Sequence, residues 1–301
     1  MLSRIIPLVL CFASLAAGQN SSTSFRADTT LVLVPVAVTD KTNRYVLGLE
    51  RENFQVFEDG AQQKIAYFSN EDAPLSVGLI LDISGSIGAK LSTSRRAIAE
   101  FLKTLNASDE AFLVECADKA EVTLPFTHDI GAIGQRVNAT AAGGLTALLD
   151  AVRLGIEQMK DAKNPRKALL ILSDGGDNNS HYTPQQVQEL VREADVQIYS
   201  MGVFEPLSLL LSASEIGGPR LLSEISDQTG GRALAATGAK DLPGIASRIA
   251  LELRNQYVLA YSPANGKRDG KYRHVQVKLQ APDGLADLKA RWRLGYYAPS
   301  E

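Results

Sequence analysis

Ser76-Val-Gly-Leu-Ile-Leu-Asp-Ile-Ser-Gly-Ser86 decides how the chain folds. Its first half reads as a continuous run buried on both faces, the pattern of a strand inside a parallel sheet. The run ends in a carboxylate and two hydroxyls, with Gly85 allowing a tight turn. Working outward, Ile87, Leu91, Ile98, Phe101, Leu102 and Leu105 share one helical face. Ala111 to Cys116 and Glu121 to Leu124 then read as strands. Thr146 to Met159 predicts a helix with Leu148, Leu149, Val152 and Ile156 as its apolar stripe. Ala168 to Leu172 repeats the fully buried pattern. Thr183-Pro-Gln-Gln opens another helix, with threonine as cap, proline in the first turn and glutamine closing a capping box. Val196 to Val203 predicts a strand, and Asp241 to Arg254 a helix. Buried strands alternating with amphipathic helices predict an α/β unit over residues 72–254, a doubly wound, mostly parallel sheet.

Both flanks read as β. Thr29 to Thr39 is rich in β-branched residues, and Asn53-Phe-Gln-Val-Phe-Glu alternates. Asp59-Gly60 and Lys64 to Ser69 complete a predicted hairpin. Beyond the α/β unit, Gln256 to Tyr261, Arg273 to Leu279 and Leu288 to Tyr297 read as three strands. Turns at Asn265-Gly266 and Asp283-Gly284 separate them. Residues 27–71 and 255–301 are each too small to bury a good core alone. They are therefore expected to pair into one smaller, discontinuous all-β domain with the α/β unit inserted in it.

The 301 residues are 45% hydrophobic and 22% charged, with a formal net charge of -3. That balance gives no general pull toward nucleic acid or anionic membrane. Residues 1–18 read as an export signal: Arg4, the apolar run Ile5 to Ala17, then Ala16-Ala17-Gly18. The run is short for a membrane span, so no transmembrane segment is expected after cleavage. The expected location is periplasm, cell surface or medium. Cleavage near Gln19 leaves Cys116 as the one cysteine, which excludes an intramolecular disulfide and reads as a small buried hydrophobe.

Ligand sites in open parallel sheets form beyond the carboxyl ends of the strands. Asp82, Ser84 and Ser86 lie there and offer three hard oxygen donors, a set suited to Mg²⁺ or Mn²⁺. Thr146, after Gly143-Gly144-Leu145, and Asp174, in Leu172-Ser173-Asp174-Gly175, each mark a strand-to-helix transition on the same edge. Asp177, Asn178, Asn179 and His181 follow on that rim, as a solvated loop or as selectors of a partner. Asp109 and Glu110 read as ordinary turn residues. Trp292, Tyr296 and Tyr297 read as packing of the β domain, and Lys267 to Lys271 as a solvated turn.

Asp-x-Ser-x-Ser at 82–86, a threonine 64 residues past Asp82 and an aspartate 92 residues past it resemble the metal-ion-dependent adhesion site of von Willebrand factor A domains. The flanking VPVAVTDKTNRYVLGLERENFQVFEDGAQQKIAYFS, NQYVLAYSP and RLGYYAP resemble the bacterial VWFA-related family known mainly from acidobacterial genomes. The resemblance implies that Ser84, Ser86 and Thr146 bind the cation directly. It implies that Asp82 and Asp174 chiefly hold metal-bound waters, and that an acidic side chain of a protein partner fills the open position. The expected function is an exported, metal-dependent protein-binding or adhesion module without catalytic activity. A metal-independent envelope scaffold is the alternative. A metal-assisted hydrolase fits less well, because no Gly-x-Ser-x-Gly elbow surrounds Ser84 or Ser86.

Overall fold

A computed structural model describes residues 31–203, 213–282, 284–285 and 287–300. The export-signal reading at 1–18 lies outside the described residues, as do Thr29, Thr30 and Asp283. In chain order the elements are β1 (Val32–Thr39), β2 (Phe54–Glu58), β3 (Ala61–Gln63), β4 (Ile65–Ser69) and β5 (Leu75–Asp82). Then come α1 (Leu91–Leu102), β6 (Glu110–Cys116), β7 (Ala120–Thr127), α2 (Ile130–Ala139), α3 (Leu148–Gln158) and β8 (Arg166–Leu172). The rest are α4 (Pro184–Glu193), β9 (Gln197–Val203), α5 (Ala213–Asp227), β10 (Ala233–Ala236), α6 (Leu242–Arg254), β11 (Gln256–Tyr261), β12 (Tyr272–Leu279), β13 (Lys289–Arg291) and β14 (Gly295–Tyr297).

The doubly wound sheet is present, in the order β10-β9-β8-β5-β6-β7. All its pairings are parallel except β6 with β7. Every residue of β5 is buried, as a strand covered on both faces requires. Leu79 and Leu81 point into a core closed by α1, α2 and α6. Ile80 points to the opposite core, closed by α3, α4 and α5. The chain leaves β5 toward β6 on one side and returns to β8 on the other. The sheet therefore reverses winding at β5 and β8, and a crevice opens beyond their carboxyl ends.

The two flanks share two antiparallel sheets, β13-β1-β11-β4 and β14-β12-β2-β3. β1, from the N-terminal flank, runs against β11 from Val32↔Tyr261 to Ala37↔Gln256. β2 runs against β12 from Phe54↔Leu279 to Glu58↔Val275. Inward residues of both sheets, among them Val34, Val36, Phe54, Val56, Tyr257, Leu259 and Val275, make a third core. The Tyr257 ring lies 5.0 Å from Phe54 and 5.9 Å from Phe68. Trp292 packs on this core and donates its indole N–H to the Val275 carbonyl at 2.9 Å.

Three local readings need correction. The hairpin partner of β2 is the short β3, closed by Asp59 and Gly60 at positive φ. Ile65 to Ser69 instead crosses to the other sheet and pairs with β11. The alternation of 53–58 and 64–69 fits either pairing, so periodicity alone cannot choose. The expected strand from Leu288 to Tyr297 is two short ones, β13 on β1 and β14 on β12, in different sheets. Asp109 and Glu110 are not ordinary turn residues. Asp109 is fully buried, accepts the Leu75 amide at 2.8 Å and pairs with Arg254. Glu110 accepts the Ser76 hydroxyl at 2.6 Å and the Lys163 amide at 2.7 Å. Helices α2 and α5 and strand β10 lay outside the sequence reading. Two glycines interrupt α2, and Gly217, Gly218 and Pro219 interrupt α5.

Candidate metal centre

The five oxygen-bearing residues lie along the carboxyl edge of the sheet, at its reversal point. Asp82 is the last residue of β5 and is fully buried. Its Oδ1 accepts the Ser84 amide at 2.9 Å. Its Oδ2 accepts the Ser173 hydroxyl at 2.6 Å, across the β5–β8 pair. Burial pushes the Asp82 carboxyl up to about 6, against the lowering effect of Ser173 and Ser84, and the nearby Asp174 charge adds to the rise. A carboxylate kept in this setting is stabilised by anything that brings positive charge beside it.

Ser84 is 1% exposed, and its hydroxyl lies 3.1 Å from that of Ser86, on the solvent side of the turn. Thr146 reaches the edge through backbone bonds: the Gly85 amide donates to the Gly144 carbonyl at 3.0 Å, and the Gly143 amide to the Ile83 carbonyl at 2.8 Å. Gly144 has φ +82, which a side chain rarely adopts. Asp174 follows Ser173, and its Oδ1 accepts the Gly176 amide at 3.2 Å. The structure thus brings Asp82, Ser84, Ser86, Thr146 and Asp174 to one edge. Leu145, beside Thr146, is 48% exposed on the same rim.

The donor set fits a hard divalent cation. Two ligand oxygens at right angles on an ion with bonds of about 2.0–2.1 Å stand roughly 2.9 Å apart, close to the 3.1 Å between the two serine hydroxyls. Cys116 is register-paired with Asp82, and its thiol is buried and pushed above its usual range. The thiolate a soft metal wants is therefore disfavoured there.

Several contributors could not be read from spacing. Ser173 belongs to the site because the β5–β8 register sets it beside Asp82. Asp118 accepts the Leu145 amide at 2.7 Å. Asp177, Asn178 and Asn179 form an ordered loop against the Thr146 turn. Asp177 accepts the Leu148 amide at 3.0 Å, and Asn178 the Thr146 amide at 2.8 Å. His181 is held by Asp150 at 2.8 Å.

The chain thus has an open, doubly wound α/β sheet with oxygen-bearing side chains at its reversal point. Residues 77–176 match the von Willebrand factor type A domain family. An uncharacterized protein of Borreliella burgdorferi is 27% identical over a 181-residue alignment that covers 53% of this chain and 53% of that protein. This chain therefore matches about half the length of that relative. A von Willebrand factor type A structure from Catenulispora acidiphila has the same fold, with TM-score 0.52, 14% identity, and coverage of 81% of this chain and 75% of that one. So does proximal thread matrix protein 1 from the mussel byssus, with TM-score 0.50, 18% identity, and coverage of 65% and 51%. A further structure of that mussel protein carries zinc in its MIDAS motif (TM-score 0.49, 17% identity, coverage 65% and 49%).

Proposed function

We propose that this chain is an exported, non-catalytic protein-binding module that holds Mg²⁺ or Mn²⁺ through Ser84, Ser86 and Thr146, with Asp82 and Asp174 behind them. The observation that carries this reading is the pair of hydroxyls 3.1 Å apart over a buried carboxylate at the sheet's reversal point. Neutral hydroxyl ligands leave a bound cation strongly electrophilic, so it would attract a carboxylate from a partner protein. The metal supplies that attraction; the chain supplies the geometry. Asp82 and Asp174 would orient water beside the ion. Leu145 would give the partner an apolar contact at the rim.

Hydrolysis is disfavoured by the same geometry. The Ser84 hydroxyl is paired with Ser86 rather than with a histidine base. Among the described residues no helix is long and apolar enough to cross a membrane. Calorimetric titration of Mg²⁺ into the mature chain, beside Asp82→Ala, tests the site, and equal heats from the two proteins would sink it. Capture of partners from the producing cells, with and without chelator, separates the roles. Chelator-sensitive capture supports metal-dependent binding, and chelator-insensitive capture points to an envelope scaffold.

A further inference from the structure

The loop after Asp174 grips the Thr146 peptide from both sides. On one side the Thr146 amide donates to Asn178 Oδ1 at 2.8 Å. On the other, the Thr146 carbonyl accepts the Asn178 and Asn179 amides, each at 3.0 Å. A second layer holds the neighbours. Asp118 Oδ1 takes the Leu145 amide at 2.7 Å, and the Asn179 side chain donates back to the Asp118 carbonyl at 2.6 Å. Asp177 Oδ1 takes the Leu148 amide at 3.0 Å and the Ser180 hydroxyl at 2.6 Å. Gly144 packs so closely on the Asp118 carboxylate that an added Cβ would meet Oδ1 at 2.7 Å.

These bonds use every hydrogen-bonding group of the Thr146 main chain. Thr146 is buried, so its peptide groups must find partners within the protein, and the loop after Asp174 supplies them. Their effect is geometric. Fixing both peptide planes around Thr146 fixes its Cα–Cβ direction, and a β-branched side chain has few χ1 positions left. The hydroxyl is thereby aimed before any ion arrives.

We propose that Asn178, backed by Asp118, is a positioning residue for the cation: it acts through Thr146, whose hydroxyl it presets as a ligand. This rests on the metal-binding reading above. Outer-layer partners of metal ligands typically change affinity ten- to a hundredfold, and a loop that must be ordered at binding loses the benefit of preorganisation.

The test is a double-mutant cycle read by Mg²⁺ calorimetry on the mature chain. Asn178→Ala should weaken binding by roughly ten- to a hundredfold. In a Thr146→Ala background the same change should have no further effect, because its target is gone. A merely structural or electrostatic role would cost the same factor in both backgrounds, and that result overturns the proposal. So does equal affinity of Asn178→Ala and the parent. If the parent itself takes up no Mg²⁺, the metal reading falls and the proposal with it, so the two failures are told apart. A second readout needs no metal. In Asn178→Ala the Thr146 amide should exchange with solvent deuterium faster, while amides of Leu79 and Leu170 in the sheet centre keep their protection. An unchanged Thr146 amide would mean that Asn178 holds nothing.

Discussion

Asp82 is a carboxylate in a place that penalises charge, which makes its stability effect calculable. Its ionisation is moved from 3.8 up to about 6 by burial. An acid whose folded value lies above its unfolded one costs the fold little while protonated, at pH below about 4. The penalty grows as pH rises and is complete above about 6. Two units at about 1.4 kcal/mol each make it ~3 kcal/mol at neutral pH. Asp82→Asn keeps an acceptor for the Ser84 amide and a donor toward Ser173, and removes the charge. In chelator at pH 7 this variant should melt above the parent, with the gap closing near pH 4, and it should lose any rise in melting temperature on adding Mg²⁺. A thermal-melt series at the two pH values checks this. A variant weaker than the parent by one constant margin would contradict it. The five candidate ligands were legible because each follows a strand end or opens a helix, and those positions can be found from hydrophobic patterning. Ser173 and Asp118 were not, and Asn178 was placed on the rim without its bond to the Thr146 amide, because such roles depend on strand register and loop contact, which spacing does not encode.

At the scale of elements, the Asp174 loop is shaped by α5. Gly175, at φ +82, and Gly218 of α5 touch backbone to backbone. A Cβ on Gly218 would stand 2.6 Å from the Asp174 carbonyl oxygen and 3.0 Å from the Gly175 carbonyl carbon. Neither neighbour is a flexible side-chain end, so the helix and the loop must part. Gly218→Ala should therefore cost about 1–3 kcal/mol and weaken Mg²⁺ binding by displacing Asp174. Gly244→Ala, in α6 with nothing near its added methyl, is the matched control. It should hold or gain stability, by about 0.5–1 kcal/mol, and keep its Mg²⁺ affinity. Equal calorimetric affinity for Gly218→Ala and the control would show that α5 does not shape the loop. This contact also explains what the sequence could and could not reveal. The glycines and proline that let α5 approach the site erase the apolar stripe that announces a helix. Elements with an unbroken pattern, β5, β8, α3 and α6, were readable to within a few residues. The two-stranded pairings of Ile65 to Ser69 and Leu288 to Tyr297 were not, since alternation names a face and leaves the partner strand open.

Across the whole molecule, the question is whether the candidate metal edge and the β flanks melt as one body. Residues 31–301 form one compact unit, and its seam is polar and well joined. Arg254, the last residue of α6, is anchored within the α/β unit by Asp109 and Asp72 and leads through Asn255 into β11 of the flanks. The buried Glu252 accepts the Tyr45 hydroxyl at 3.0 Å and the Tyr199 hydroxyl at 3.2 Å, and pairs with Arg232. Arg293 pairs with Asp195, and the Leu294 amide donates to the Gln228 carbonyl at 3.3 Å. Opening this seam while the rest stays folded would take the Tyr45 hydroxyl from the buried Glu252 carboxylate, a hydrogen bond to a charged group of the kind that contributes about 1.5–3 kcal/mol, and would part Arg293 from Asp195. The two parts also report independently. All six α-helices among the described residues lie between β5 and β11, so circular dichroism near 222 nm follows the α/β unit. The single tryptophan, Trp292, sits on the β core, so its fluorescence follows the flanks. Thermal melts by the two signals should coincide. Mg²⁺ at a hundred times its dissociation constant adds about 2.7 kcal/mol to whatever unfolds with the site. Both curves should then move upward together, although Trp292 touches no candidate ligand. If the dichroism curve shifts and the fluorescence curve stays, the seam does not couple the parts, and the β flanks carry the α/β unit without sharing its stability.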